Sequence, residues 1–108
     1  MKEVFKLHAE VCKTLANAKR LEIIYALRDG ERGVDEMTRM LGLKKANVSQ
    51  HLGVLRAAGV VKTRREGVNV YYRIANPKII KACAMMREVM MEMLGERQSM
   101  LRILKGRR

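Results

Sequence analysis

Between Gly42 and Gly59 the apolar residues recur at helical spacing, and directly after Gly59 they begin to alternate. That switch of period inside a few residues admits few architectures. Val48, Leu52 and Leu55 fall at i, i+4 and i+7, which predicts one helix closing at Gly59, a natural C′ residue. The stretch "VVKTRREGVNVYYRI" (60–74) then sets Val60, Val61, Val70, Tyr71, Tyr72 and Ile74 around a Glu-Gly-Val-Asn centre. This predicts a β-hairpin with Arg64 and Arg65 beside its tip. Just upstream, Val34, Met37 and Leu41 make the apolar side of a shorter helix that Gly42 ends. Asp35 is its expected N-cap, with Glu36 in its first turn. Two short helices joined through a glycine turn read as a helix-turn-helix, and the hairpin behind them as a wing.

The flanks extend this plan. Residues 3–16 predict a helix striped by Val4, His8, Val11 and Leu15, with Phe5, Cys12 and Ala16 beside the stripe. Asn17 can cap a second helix, "AKRLEIIYALRDG", with Leu21, Ile24 and Leu27 facing inward, Gly30 as its stop and "GERG" as the following turn. Asn76 and Pro77 supply an N-cap and N1 pair for a long last helix. On it Ile79, Cys83, Met86, Met90, Met93, Met100 and Leu104 form a near-heptad stripe that Arg97 interrupts. So small a domain cannot bury a stripe of that length. The expectation is a second copy of the chain, with Phe5, Val11, Ile79, Cys83, Met86, Met90 and Met93 in the interface. The fold class expected is mainly α with a small β-hairpin wing: a winged helix-turn-helix that dimerises through its first and last helices. Residues 1–108 then form one winged-helix domain, with 1–16 and 77–105 for dimerisation and 17–76 for the helix-turn-helix and wing.

Charge suggests the partner. The 108 residues carry 23 basic and 11 acidic side chains, a formal +12. Residues 1–43 hold 8 basic and 7 acidic groups, 44–76 hold 7 and 1, and 77–108 hold 8 and 3. The positive field starts where the second helix of the pair starts, which favours nucleic acid over an anionic membrane surface. On that helix Asn47, Ser49 and Gln50 follow Lys44 and Lys45. A helix that only packs usually carries Glu and Lys outside; short amides and a hydroxyl form helix less well and read hydrogen-bond edges better. The N-terminus shows no apolar stretch with a cleavage site and no run spans a bilayer, so the expected location is the cytoplasm. Cys12 and Cys83 are then expected as thiols. Two Asp, two Ser and two His form no nucleophile–base–orienter set, so no enzyme is expected. No cofactor is expected either.

At this point the chain resembles the ArsR/SmtB family of bacterial and archaeal repressors. The resemblance is carried by "LANAKRLEII" (15–24), "VSQHLGVLRAAGVV" (48–61) and "TRREGVNVYYRI" (63–74), and covers roughly residues 10–85. It implies a symmetric homodimer on a palindromic operator in double-stranded DNA, released by an inducer that is often a metal ion or an oxidant. It places Lys44 to His51, Ala46 included, in the major groove. Asn47 and Gln50 would contact adenine, and Ser49 a base edge or a phosphate. Lys44, Lys45, Arg64 and Arg65 would neutralise phosphates, with Asn69 beside them on the wing. For His51, packing or a phosphate is favoured over metal ligation. The sequence departs from the family at Lys44, usually a Ser or Thr cap, and at Val68, where the wing tip is often basic.

The signal is less defined. The family's Cys-x-Cys metal motif would fall on Gly33 and Asp35, and its zinc pattern on Asn76, Lys78, Val89 and Glu92; only the Glu is present. Neither metal site is expected. Three readings of Cys12 and Cys83 stay open: core packing, a persulfide- or oxidant-sensing pair, and a soft-metal site completed by His8. The rival to a sequence-specific repressor is a winged helix that binds protein, or nucleic acid without sequence preference.

Overall fold

The computed structural model describes residues 1–106; the last two positions of the expected 1–108 domain, Arg107 and Arg108, lie outside them. The elements run α1 (Lys2–Leu15), α2 (Ala18–Ala26), β1 (Arg32–Gly33), α3 (Val34–Leu41), α4 (Lys45–Ala57), β2 (Val61–Glu66), β3 (Asn69–Ile74) and α5 (Pro77–Gly106). Two compact units result, Met1–Pro77 and the shaft of α5 from Lys78 onward.

In the first unit α2, α3 and α4 close around a small aliphatic core. Ile23, Met37, Val48, Leu52 and Leu55 are wholly buried, and Ile24, Ala26, Leu27, Val60, Val61 and Ile74 complete it. The joint before α2 is set locally: the Asn17 side chain accepts the Arg20 N–H at 3.1 Å, satisfying one orphan donor. Two sequence expectations fail in this region. Leu21 is 43% exposed. At roughly 100° per residue the buried arc of α2 runs from Ile24 through Leu27 and Ile23 to Ala26, and Leu21 lies about 60° beyond its edge. Asp35 is not the cap of α3; the cap is Gly33, two residues earlier, and it makes no side-chain cap bond. Asp35 and Glu36 both sit in the first turn, where the helix dipole favours them.

The exit of α3 is a left-handed residue, Gly42 at φ 64°, whose N–H reaches the Thr38 carbonyl at 3.0 Å. The exit of α4 is a Schellman turn. Val60 donates to the Leu55 carbonyl at 2.9 Å and Gly59, at φ 77°, to that of Arg56 at 3.0 Å. This hook turns the chain directly into β2.

β2 and β3 pair antiparallel from Val61 opposite Ile74 out to Glu66 opposite Asn69, joined by Gly67 and Val68. Gly67 has φ 61° and, among the described residues, none but glycine has positive φ, the pattern of a type II′ hairpin with glycine first. A third strand joins on the far side of β3: Arg32 pairs with Tyr72 and Gly33 with Tyr71, so the sheet order is β1-β3-β2. The "GERG" segment is thus part turn and part strand.

α1 spans nearly the expected residues and buries none of them. Phe5 is 63% exposed, and Val11 is half-buried. The second unit is one helix, about 45 Å long counting from Pro77, its first residue. None of its residues is buried; Ile79 and Cys83 are half-covered, whereas Met86, Met90, Met93, Met100 and Leu104 stand exposed. Among the described residues no helix is long and apolar enough to cross a membrane.

Candidate nucleic-acid interface

α4 divides cleanly between its two sides. Val48, Leu52 and Leu55 are lost to solvent, while Lys44, Lys45, Ala46, Asn47, Ser49 and Gln50 are exposed. Lys44 stands at the N-cap with no side-chain cap bond. The Lys44 carbonyl takes the N–H groups of Asn47 and Val48, at 3.0 and 3.1 Å. The N–H groups of Lys45 and Ala46, in the first turn, have no intrahelical acceptor, which makes that end favourable to anions. His51 is half-buried, and its Nδ1 is buried without a hydrogen-bond partner among the described residues. The expected alternatives for it, packing or a phosphate contact, both stay open.

Lys45 is not a free cation. Its Nζ lies 2.9 Å from Asp35 Oδ1. The hydrogen bond and charge of Lys45, with a smaller effect from Arg39, hold the Asp35 carboxyl below its usual range despite slight desolvation. The pair stitches the start of α4 to the first turn of α3.

On the wing the two arginines have different surroundings. Arg64 Nη2 and Nε reach Glu31 Oε1 and Oε2 at 2.6 and 3.2 Å, and Nη1 reaches Glu66 Oε2 at 2.8 Å. Its guanidinium also lies 4.8 Å from the centre of the Tyr71 ring. The hydrogen bond from Arg64 keeps the Glu31 carboxyl low, against a small opposing desolvation, with further help from the charges of Arg64 and Arg73. Those two carboxylates in turn push the Arg64 guanidinium further up. Arg65 and Asn69 are exposed, and Arg65 has no ion pair among the described residues. The structure therefore brings Arg64 and Arg65 to one hairpin but gives them unlike surroundings.

Sequence reasoning missed a third basic feature, at the root of the wing. Lys62 lies directly opposite Arg73 in the register, and Arg56 joins them from the last turn of α4. With Gly59, Val61 and Thr63 they line an open concavity of about 410 Å³. Like charges facing each other across two strands are unfavourable without an anion nearby. The signal was in the sequence, since a hairpin centred on Gly67 and Val68 already sets Lys62 opposite Arg73; only the approach of Arg56 needed the fold.

The effector candidates fall in both units. His8 and Cys12 lie one turn apart on α1, both exposed, and Cys83 lies on α5, half-buried. Burial pushes the Cys83 thiol up, with the Arg87 charge opposing it. Among the described residues no group of three or more His, Cys, Asp or Glu side chains is arranged to hold a metal ion.

A helix pair whose second member shows a polar outer face, followed by a basic hairpin, defines a winged helix-turn-helix of the DNA-binding transcriptional regulators. Residues 17–63 match the family described as bacterial regulatory protein, arsR family. The HTH-type transcriptional regulator Rv0081 of Mycobacterium tuberculosis is 42% identical over 104 residues, spanning 95% of this chain and 91% of its own length. Its crystal structure matches with a TM-score of 0.77 at 43% identity, over 87% of this chain and 95% of that one. The homodimeric winged helix-turn-helix DNA-binding domain of Mb0332 from Mycobacterium bovis, a solution structure, matches at 0.79 and 35% identity over 88% of each chain. The biofilm growth-associated repressor of Agrobacterium fabrum is 44% identical over 70 residues, 65% of this chain and 60% of its own. The chain belongs to the ArsR family and is a transcriptional regulator, not an enzyme.

Proposed function

We propose that the chain acts in the cytoplasm as a homodimeric repressor that reads a palindromic operator with α4 and is released by an inducer. The observation that carries this reading is the outer face of α4: Asn47, Ser49 and Gln50 project into solvent from a helix whose other face is the centre of the core. Such residues are held rigidly and can offer hydrogen bonds to base edges in the major groove. Lys44 and Arg65 supply the phosphate contacts that set register, while Lys45 is held by Asp35. Dimerisation is supported by the uncovered apolar rows of α1 and α5 and by the homodimeric state of Mb0332. Repression is supported by the Agrobacterium relative. Within this reading a thiol-reactive inducer meets Cys12 first, because it is exposed and Cys83 is the covered one.

The test is fluorescence anisotropy of labelled DNA from upstream of the chain's own gene, against scrambled DNA at fixed salt. Preferential binding that Asn47→Ala and Gln50→Ala abolish supports the reading. Steeply salt-dependent binding with no sequence preference would favour the nonspecific winged helix instead. Treating the complex with a polysulfide separates the inducer arm: release that Cys12→Ser prevents assigns the signal to that thiol, and unchanged binding removes it.

A further inference from the structure

Arg64 and Arg65 are consecutive in β2, so their side chains leave the hairpin on opposite sides. The register confirms the split, with Arg64 opposite Tyr71 and Arg65 opposite Val70. Three guanidinium nitrogens of Arg64 are occupied, two on Glu31 and one on Glu66, and Tyr71 flanks the group. The cluster of one arginine and two glutamates has a formal charge of −1. Arg73, whose charge also reaches Glu31, brings the site to neutral, so a phosphate approaching Arg64 meets a cation whose best donors are already taken and whose charge is already balanced.

The two glutamates do different work. Glu66 is on the same strand as Arg64, so that contact stays inside the hairpin. Glu31 lies 33 residues earlier, in the turn after α2, and its two-point contact ties the outer half of the hairpin back to the helical domain. Fork-to-carboxylate geometry of this kind fixes direction as well as distance. The pair is also less exposed than Lys45–Asp35, where a flexible lysine makes one contact and can swing away. Arg65, by contrast, is exposed, with no acid paired to it among the described residues.

We propose that Arg64 is a positioning residue that, through Glu31, sets the angle of the wing, and that Arg65 is the wing cation that neutralises a DNA phosphate. This rests on the DNA-binding reading above. It separates two residues that the sequence pattern treats alike.

The discriminating variant is Glu31→Gln. Removing an acid from a DNA-binding face strengthens binding if that acid merely holds a phosphate ligand back. If Arg64 positions the wing, the same change weakens binding. The full-length chain, wild type and variants, is titrated onto its upstream DNA at several salt concentrations. Glu31→Gln and Arg64→Gln should each weaken binding several-fold with the salt slope unchanged, and the double variant should be no worse than either. Arg65→Gln should flatten the slope by about 1.8 for a dimer, at about 0.9 per lost phosphate contact. Without DNA, amide order parameters at Gly67 and Val68 should fall in Glu31→Gln and stay unchanged in Arg65→Gln.

Binding by Glu31→Gln that is unchanged or stronger overturns the proposal, as does a flattened slope in Arg64→Gln. A wild-type chain that binds no DNA sinks the DNA-binding reading separately; loss of wing order in Glu31→Gln then still supports the positioning role, and retained order overturns it.

Discussion

Lys45 at the start of α4 pairs with Asp35 in the first turn of α3 across 2.9 Å, so one cation of α4 is already neutralised within the chain. Both side chains are well exposed, and a single lysine contact breaks easily in water. Asp35→Asn should therefore release Lys45 to a phosphate. The expected outcome is tighter DNA binding and a salt slope steeper by about 0.9 per protomer. Titrations between low and physiological salt measure both.

The two faces of α4 should respond oppositely to truncation. Leu52→Ala removes a wholly buried side chain and should cost about 3 kcal/mol in urea unfolding. Gln50→Ala should leave stability within about 0.5 kcal/mol. Its effect belongs in DNA discrimination, where a lost bidentate contact costs about 1–3 kcal/mol. A competition assay with substituted operators reads that loss.

Val68 at the wing tip is 95% exposed and touches nothing that it must keep. Val68→Lys should fold as well as wild type, tighten DNA binding and steepen its salt dependence. Its neighbour gives the contrasting result. Gly67→Ala places a side chain at φ 61° and should loosen the turn, at a cost of about 1–2 kcal/mol locally. Hydrogen exchange of the hairpin amides distinguishes the two.

Acid should free the wing. The folded-state carboxyl of Glu31 titrates below its ordinary value of 4.5, chiefly because of the hydrogen bond from Arg64. A depressed carboxyl contributes stability that is complete above the unfolded value and is lost as pH falls through the folded one. Wing order at Gly67 should thus be constant from pH 7 to about 5 and fall only in stronger acid. Arg64→Gln should show no such step attributable to Glu31.

Burial raises the Cys83 thiol, so at neutral pH it holds less thiolate than an unhindered cysteine. In a Cys12→Ser background, labelling by a disulfide reagent at pH 7.5 should be slower than for a free cysteine peptide. The gap should close on unfolding in urea.

Local chemistry wrote most of this fold into the sequence. The spacing of Val48, Leu52 and Leu55, the left-handed glycines at 42 and 59, and the Gly67–Val68 turn each act within a few residues, and each element appears where they put it. What escaped was nonlocal. Two residues, Arg32 and Gly33, show no alternation, and only their pairing with Tyr71 and Tyr72 makes them a strand. Leu21 matched a helical stripe, but the neighbours of α2 chose the arc centred nearer Leu27 and Ile23. Asp35 looked like a cap because its type favours one, yet Gly33 already had the extended backbone the cap position needs. In the candidate site, the exposure of Asn47, Ser49 and Gln50 could be read from periodicity alone. The partner of Arg64 could not, since Glu31 comes from the other side of the helix-turn-helix.

The clean division of α4 also bears on how such a chain can diversify. Val48, Leu52 and Leu55 answer to folding, while Asn47, Ser49 and Gln50 answer to whatever lies outside. A lineage can exchange the outward set one residue at a time without passing through unstable intermediates. Duplicated copies of such a gene can then part company in the DNA they recognise long before their folds diverge.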